Sequence, residues 1–160
     1  MRRLAALLRT CNDGLRIGRC LETLYPCDEI LVIDNGSTDQ TLRIAREYGA
    51  RIVAGDRGQQ PIQGLAESDT AWLLCLDARE SLTEALAASL FEWKSGQPVS
   101  EEPGIFSVVI REETGNGWAE NPREEIRLVP VDWQRWNGHW PPAEQRPITL
   151  TGELLRFSFP

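Results

Sequence analysis

Two carboxylates stand where apolar runs stop. Asp34 closes Glu29-Ile30-Leu31-Val32-Ile33, and Asp77 closes Ala71-Trp72-Leu73-Leu74-Cys75-Leu76. A carboxylate in such a place can accept hydrogen bonds from a base or ribose, or help hold a divalent cation. Thr10 follows the apolar run 4–8 and precedes Cys11-Asn12-Asp13-Gly14, while Gly55-Asp56-Arg57 follows the run 51–54. A single aspartate after a strand most often caps the next helix. Here each is followed by its own serine with Gln or Glu three residues on, Ser37 with Gln40 and Ser81 with Glu84. These are capping-box signatures, which assign capping to the serines and leave the aspartates for a ligand.

Other chemistries lack their residues. No G-x-G-x-x-G follows the first apolar run, and neither G-x-x-x-x-G-K-[ST] nor H-E-x-x-H occurs. His139 is the sole histidine, which removes a multi-histidine zinc site. The net charge is −7 with acids and bases interspersed, so no basic face exists for nucleic acid. Every apolar run is far shorter than the about 20 residues of a membrane helix, and Arg9 interrupts 4–8 before it could serve as a signal segment. A cytoplasmic protein without a transmembrane segment is expected. Cys11, Cys20, Cys27 and Cys75 form no C-x-x-C pair, and reduced thiols are expected.

The elements that must hold these residues alternate. Run 4–8 reads as a buried strand; Ile17, Cys20, Leu21 and Leu24 then recur at helical spacing until Pro26. Residues 29–34 are a β-branched run of the kind buried on both faces of a parallel sheet, and Leu42, Ala45 and Tyr48 continue as a helix to a Gly49 cap. Strand 51–54, a weak helix over 59–68 and strand 71–76 follow, then a helix with Leu82, Ala85, Leu86, Leu90 and Trp93 on its apolar face. Right-handed crossovers between such strands give a parallel sheet layered by helices, a three-layer α/β/α arrangement, over the first ~90 residues. Strands at 105–110 and 125–131, a Trp/Pro-rich irregular stretch at 133–142 and a last strand or hairpin at 148–159 complete a chain whose 160 residues suit a single domain. In such sheets ligands bind outside the carboxyl ends of the strands, where Thr10, Asp34 and Asp77 lie.

Leu31-Val32-Ile33-Asp34-Asn35-Gly36-Ser37-Thr38-Asp39 resembles the base-contacting segment of family 2 glycosyltransferases with the GT-A fold. Arg9-Thr10-Cys11-Asn12-Asp13 is similar to that family's opening strand, and Trp72-Leu73-Leu74-Cys75-Leu76-Asp77-Ala78 to its Asp-x-Asp strand. The likeness runs over about residues 3–95 and is strongest to the bacterial lipopolysaccharide-core branch. It implies a GT-A-like, nucleotide-diphospho-sugar transferase fold over 1–160, with 1–95 as the nucleotide-binding half and 96–160 as a shortened acceptor-side half lacking the usual membrane-attachment extension. It implies an inverting transfer from a nucleotide sugar, taken as a UDP-sugar, to a saccharide or lipid-linked acceptor of the cell envelope. Asp34, Asn35 and Gly36 would line the base pocket with Thr10, Asn12 and Asp13, and Asp77 would lie near the ribose and a diphosphate bound through Mg²⁺ or Mn²⁺.

The sequence departs from the family where the metal should sit. Asp77-Ala78-Arg79-Glu80 carries Arg79 in place of the second aspartate, so the metal set reduces to Asp77 with Glu80 one position late. Arg79 could instead meet the diphosphate, since a guanidinium binds phosphate bidentately. Trp136-Asn137-Gly138-His139-Trp140 resembles a family Trp-x-Gly stretch, but Pro141-Pro142 replaces the branch's His-Glu. An inverting transfer needs a carboxylate base, for which Glu124, Glu125, Asp132 and Glu144 are available; Glu125 and Glu144 are carried forward as catalytic candidates. Trp133, Trp136 and Trp140 suit either an aromatic sugar platform or a lid over the core. A non-catalytic GT-A-like module retaining a nucleotide or partner site is the alternative reading.

Overall fold

The computed structural model describes residues 1–55, 65–67, 69–96, 104–136, 138–141 and 147–160. Its strands are β1 (Leu4–Thr10), β2 (Glu29–Asp34), β3 (Arg51–Ala54), β4 (Trp72–Asp77), β5 (Glu80–Leu82), β6 (Phe106–Thr114), β7 (Gly117–Trp118), β8 (Arg123–Pro130) and β9 (Ile148–Arg156). Its helices are α1 (Ile17–Glu22), α2 (Thr41–Glu47) and α3 (Glu84–Ser95). The strands form one sheet in the order β3-β2-β1-β4-β8-β6-β9-β5, with β7 paired to β6.

The first four strands are parallel, as the alternation requires, and their register sets Thr10 beside Asp34 and Arg9 beside Asp77. β8 adds to β4 antiparallel, and β6 then pairs antiparallel with β8 and parallel with β9. β5 leaves β4 after only Ala78 and Arg79, yet pairs with β9 at the far end of the order, Glu80 opposite Arg156. The sheet therefore curls until its last strand returns to the carboxyl end of β4.

Alternation along the strands divides the core in two. Leu4, Ala6, Leu8, Leu74 and Leu76 pack with Ile17, Cys20 and Leu21 of α1, Ala45 of α2, and Leu86, Leu90 and Trp93 of α3. Ala5, Leu7, Leu31, Ile33, Leu73 and Cys75 face the opposite side, under Leu65, Trp133, Trp136 and Trp140. All three described helices thus cover one face, and tryptophans cover the other, each fully buried leucine adding roughly 1.5–3 kcal/mol. Among the described residues no helix is long and apolar enough to cross a membrane. All four cysteines are free thiols.

The capping boxes do not form. Ser37 lies in the turn before α2 and donates its hydroxyl to Asp34, while Asp39 accepts from the N–H and hydroxyl of Thr41 at the helix start. Ser81 is drawn into β5 by its pairing with β9, so Thr83 becomes the cap of α3 and accepts the Leu86 N–H at 3.2 Å. Leu82 accordingly belongs to β5, Ala85 is exposed and Ala87 takes its place in the core. α1 ends at Glu22, ahead of Pro26. Gly49 does terminate α2: at φ +77°, its N–H reaches Arg46 O and that of Ala50 reaches Ala45 O, the two bonds of a Schellman turn. The helix expected over 59–68 falls outside the described residues except for 65–67, which form a turn and bend.

Candidate active site

Thr10 and Asp34 end neighbouring parallel strands, and the loops beyond them are laced together. Thr38 N–H donates to Asn12 Oδ1 at 2.8 Å, and Asn12 N–H to Ser37 Oγ at 2.9 Å. Asp13 N–H donates to Thr41 Oγ1 and Gly14 N–H to Asp39 Oδ2, both at 2.9 Å. Asp13 Oδ2 accepts the Thr10 hydroxyl and the Cys11 N–H. Asn12 takes a left-handed backbone at φ 54°, which asparagine tolerates better than most residues, and Gly36 takes φ 83°. Asp34 accepts from Gly36 N–H, Ser37 N–H and the Ser37 hydroxyl, and Asn35 Oδ1 lies where a side chain at Gly55 would stand, 1.9 Å from its Cβ position. The expected base-pocket residues Thr10, Asn12, Asp13, Asp34, Asn35 and Gly36 thus share one polar ledge along the carboxyl edge, with Asp34 fixing the turn.

Asp77 shares that edge, one strand beyond β1. The pleat separates the two acids: Asp34 follows Val32 on the helix-covered side, whereas Asp77 follows Leu73 and Cys75 on the tryptophan-covered side. Among the described residues, two cavities open at Asp77. The larger, about 470 Å³, is lined by Asp77, Arg79, Glu124, Glu125, Arg156 and Trp140 among others. The smaller, about 180 Å³, lies between Arg9, Asp77, His139 and Trp140. Arg9 followed by burial holds the His139 imidazole below its ordinary value. Trp140 forms a wall common to both, its ring 4.2 Å from the Arg127 guanidinium carbon, while Trp133 and Trp136 lie over the core.

Arg127 is the residue the sequence hid. It is 1% exposed in β8 and its fork meets Glu80, itself 0% exposed, at 2.7 and 2.8 Å. Arg156 binds the same Glu80 oxygen at 2.8 Å, and Asp77 N–H donates to the other oxygen at 2.7 Å. Glu125 accepts from Arg127 and Arg123. Burial alone would raise the Glu125 carboxyl, but Arg127 and Arg123 outweigh it and hold it below the usual range. The only signal in the sequence was a charge inside the apolar stretch Ile126-Arg127-Leu128-Val129, which must be paired if buried.

Arg79 turns back on Asp77, with Nε 3.0 Å from Oδ1, Nη2 3.3 Å from Oδ2 and its own N–H 2.9 Å from Oδ1. Burial pulls the Asp77 carboxyl up, and Arg79 overrides it to a value below the ordinary one. Every oxygen of Asp77 and Glu80, the pair expected to hold Mg²⁺ or Mn²⁺, is therefore occupied by N–H donors, mostly guanidinium. Among the described residues no three His, Cys, Asp or Glu side chains converge as a metal site. These residues do not fit a divalent cation. Glu124 lines the large cavity and, among the described residues, its carboxylate accepts one bond, from Thr149 Oγ1 at 3.2 Å. Asp132 is exposed beyond β8; Asp56, Arg57, Asn137, Pro142 and Glu144 lie outside the described residues.

A curled α/β sheet with its polar ledge and cavities on the carboxyl edge defines a GT-A-like protein. Residues 6–96, more than half of the chain, match the model for glycosyl transferase family 2, and the chain belongs to that family. An uncharacterized glycosyltransferase of Rickettsia felis is 34% identical over 54% of this chain and 32% of its own length. The lipopolysaccharide core biosynthesis glycosyltransferase LpsC of Rhizobium meliloti is 32% identical over 56% of this chain and 36% of its own. The chain thus spans about a third of the length of these curated relatives. Among solved structures, Staphylococcus aureus TarS shares the fold with a TM-score of 0.53 and 19% identity over 74% of this chain and 23% of its own. Mycobacterium tuberculosis glucosyl-3-phosphoglycerate synthase, in complex with Mn²⁺ and UDP-glucose, gives 0.50 with 21% identity over 72% and 45%.

Proposed function

We propose that this chain binds a nucleotide sugar along the carboxyl edge of its sheet and transfers the sugar, with inversion, to a saccharide or lipid-linked acceptor of the cell envelope. The observation that carries the reading is the combination of the family match over 6–96 with a preformed polar ledge at the strand ends that the family uses. The base lies on the ledge of Thr10, Asn12, Asp13, Asn35 and Gly36, which Asp34 holds in shape. The sugar occupies the cavity walled by Trp140, whose indole suits the apolar face of a pyranose. UDP and UDP-glucose, named for the solved relatives, make uridine the first nucleotide to try. In this arrangement residues 1–95 are the donor-binding half and 96–160 the acceptor-side half of one domain.

Single displacement requires a carboxylate that takes the acceptor hydroxyl's proton as the bond to the sugar forms. Glu125, held by two guanidiniums, is the poorer base. Glu124, one residue earlier in β8 and open to the cavity, is the better placed one. Calorimetric titration with UDP and UDP-sugars should give saturable binding. Glu124→Gln should leave that affinity within about twofold while lowering sugar release from the bound donor by about 10²–10⁴-fold, the worth of a general base. Absence of any nucleotide binding would instead favour the second reading, a non-catalytic GT-A-like module, for which the replacement of the metal-binding acid by Arg79 speaks.

A further inference from the structure

The Asp77–Glu80 turn is electrostatically closed. Three guanidiniums, of Arg79, Arg127 and Arg156, are ion-paired with three carboxylates, of Asp77, Glu80 and Glu125. A divalent cation needs several oxygens with lone pairs directed at one point and a local excess of negative charge. Among the described residues this turn offers neither: the two Glu80 oxygens receive five N–H donors between them, four from arginines, and the two Asp77 oxygens receive three from Arg79. Displacing those guanidiniums would strand Arg127, which is buried to 1% exposure, without its partner.

Arg127, Arg156 and Arg79 line the larger cavity beside Asp77, Glu124 and Glu125, and with Arg127 and Arg156 both turned to the buried Glu80, the most exposed of the three cations is Arg79. Its side chain is 41% exposed, it lines that cavity, and Asp77 takes only two of its five side-chain N–H groups. It sits at the tip of the strand whose carboxyl end borders β1 and the base ledge. We propose that this protein binds a nucleoside diphosphate group without a divalent cation, the negative charge being met by the Arg79 guanidinium. Glu80, pinned by Arg127 and Arg156, is a positioning residue that fixes the turn carrying Arg79. The inference rests on the nucleotide-sugar reading above and names how its phosphates are held. No bond is made or broken by Arg79; it neutralises charge that accumulates on the departing diphosphate.

The test is titration of the intact chain with UDP and UMP, repeated with GDP and GMP and with ADP and AMP, in EDTA and in Mn²⁺. UDP, or whichever diphosphate binds tightest, should bind in EDTA within about threefold of its affinity in Mn²⁺, and Mn²⁺ alone should give no saturable heat. Arg79→Gln should weaken the diphosphate by about tenfold to a hundredfold, the worth of a charge-assisted hydrogen bond, while leaving the monophosphate almost unchanged. The monophosphate thereby reports that the variant is folded. Diphosphate binding that disappears in EDTA would overturn the inference and leave the nucleotide reading intact, as would an Arg79→Gln protein with wild-type affinity. No binding of any nucleotide in either buffer would overturn both.

Discussion

Glu80 was a metal ligand on paper and is a keystone in the molecule. Its carboxylate is fully buried and is held by two arginines, from β8 and β9, and by the Asp77 N–H. Burying these charges is expensive, and the fork geometry with Arg127 together with the Arg127 bond to Cys75 O compensates by satisfying the donors. Such a pair is weak evidence for net stability, but removal of one partner leaves an uncompensated charge. Glu80→Gln is therefore expected to destabilise the protein by about 3–5 kcal/mol. Urea denaturation at neutral pH measures this, and a loss below about 1 kcal/mol would mean that water reaches Arg127 and shares its charge.

The helix starts separate what a local pattern can say from what the sheet decides. Strands β1, β2 and β4, the α1 face of Ile17, Cys20 and Leu21, and the Gly49 terminus were all legible, because buried parallel strands and Schellman glycines depend on nearest neighbours, and the edge strand β3 was legible as a short apolar run. Asp34 and Asp77 were legible as strand ends for the same reason. The short strands β5 and β7 were not, since three and two residues carry no periodicity, and β5 exists only because β9, some 70 residues on, pairs with it. That long-range pairing took Ser81 out of its expected capping box. Arg127 and Arg156 escaped similarly: their partner Glu80 is distant in sequence, so only the curl brings them together. Thr83→Ala is accordingly expected to cost about 1–2 kcal/mol, since its hydroxyl both caps Leu86 N–H and donates to Glu153 O. Ser81→Ala, which removes one 3.3 Å bond to Arg19 O, should cost less than half as much. Thermal melts of both variants decide the matter; the reverse order would restore the sequence-based cap.

The curl makes one continuous sheet of both halves of the chain, so the charges it encloses and the thiols it buries both bear on a single folded state. Asp28, Asp77 and Glu125 are depressed in that state: burial pushes each up, and Lys94, Arg79 and Arg127 respectively push each further down. A carboxyl whose folded value lies below its unfolded one binds protons more readily when unfolded. Its contribution is present above the unfolded value near about pH 4 and is lost as pH falls through the folded value. The opposite flank belongs to cysteine. Burial raises the Cys75 thiol to about 12, despite the lowering influence of Arg127 and Arg9, and raises Cys20 well above its ordinary value. An unfolded thiol ionises near about pH 8.5, while the folded one stays neutral, so stability contributed by the neutral thiol is present below that value and declines as pH rises toward 12. Unfolding free energy should therefore be greatest near about pH 7 to 8, ease slightly as pH falls through the range of His139, whose folded imidazole is held below its ordinary value, and fall more steeply at the acid and alkaline ends. Cys75→Ala should make the alkaline fall shallower without abolishing it, since burial also raises the Cys20 and Cys27 thiols, and should leave the acid fall unchanged. Urea titrations from pH 3 to 10 in a phosphine reductant would test this, and an alkaline slope equal in Cys75→Ala and wild type would assign that flank to other groups.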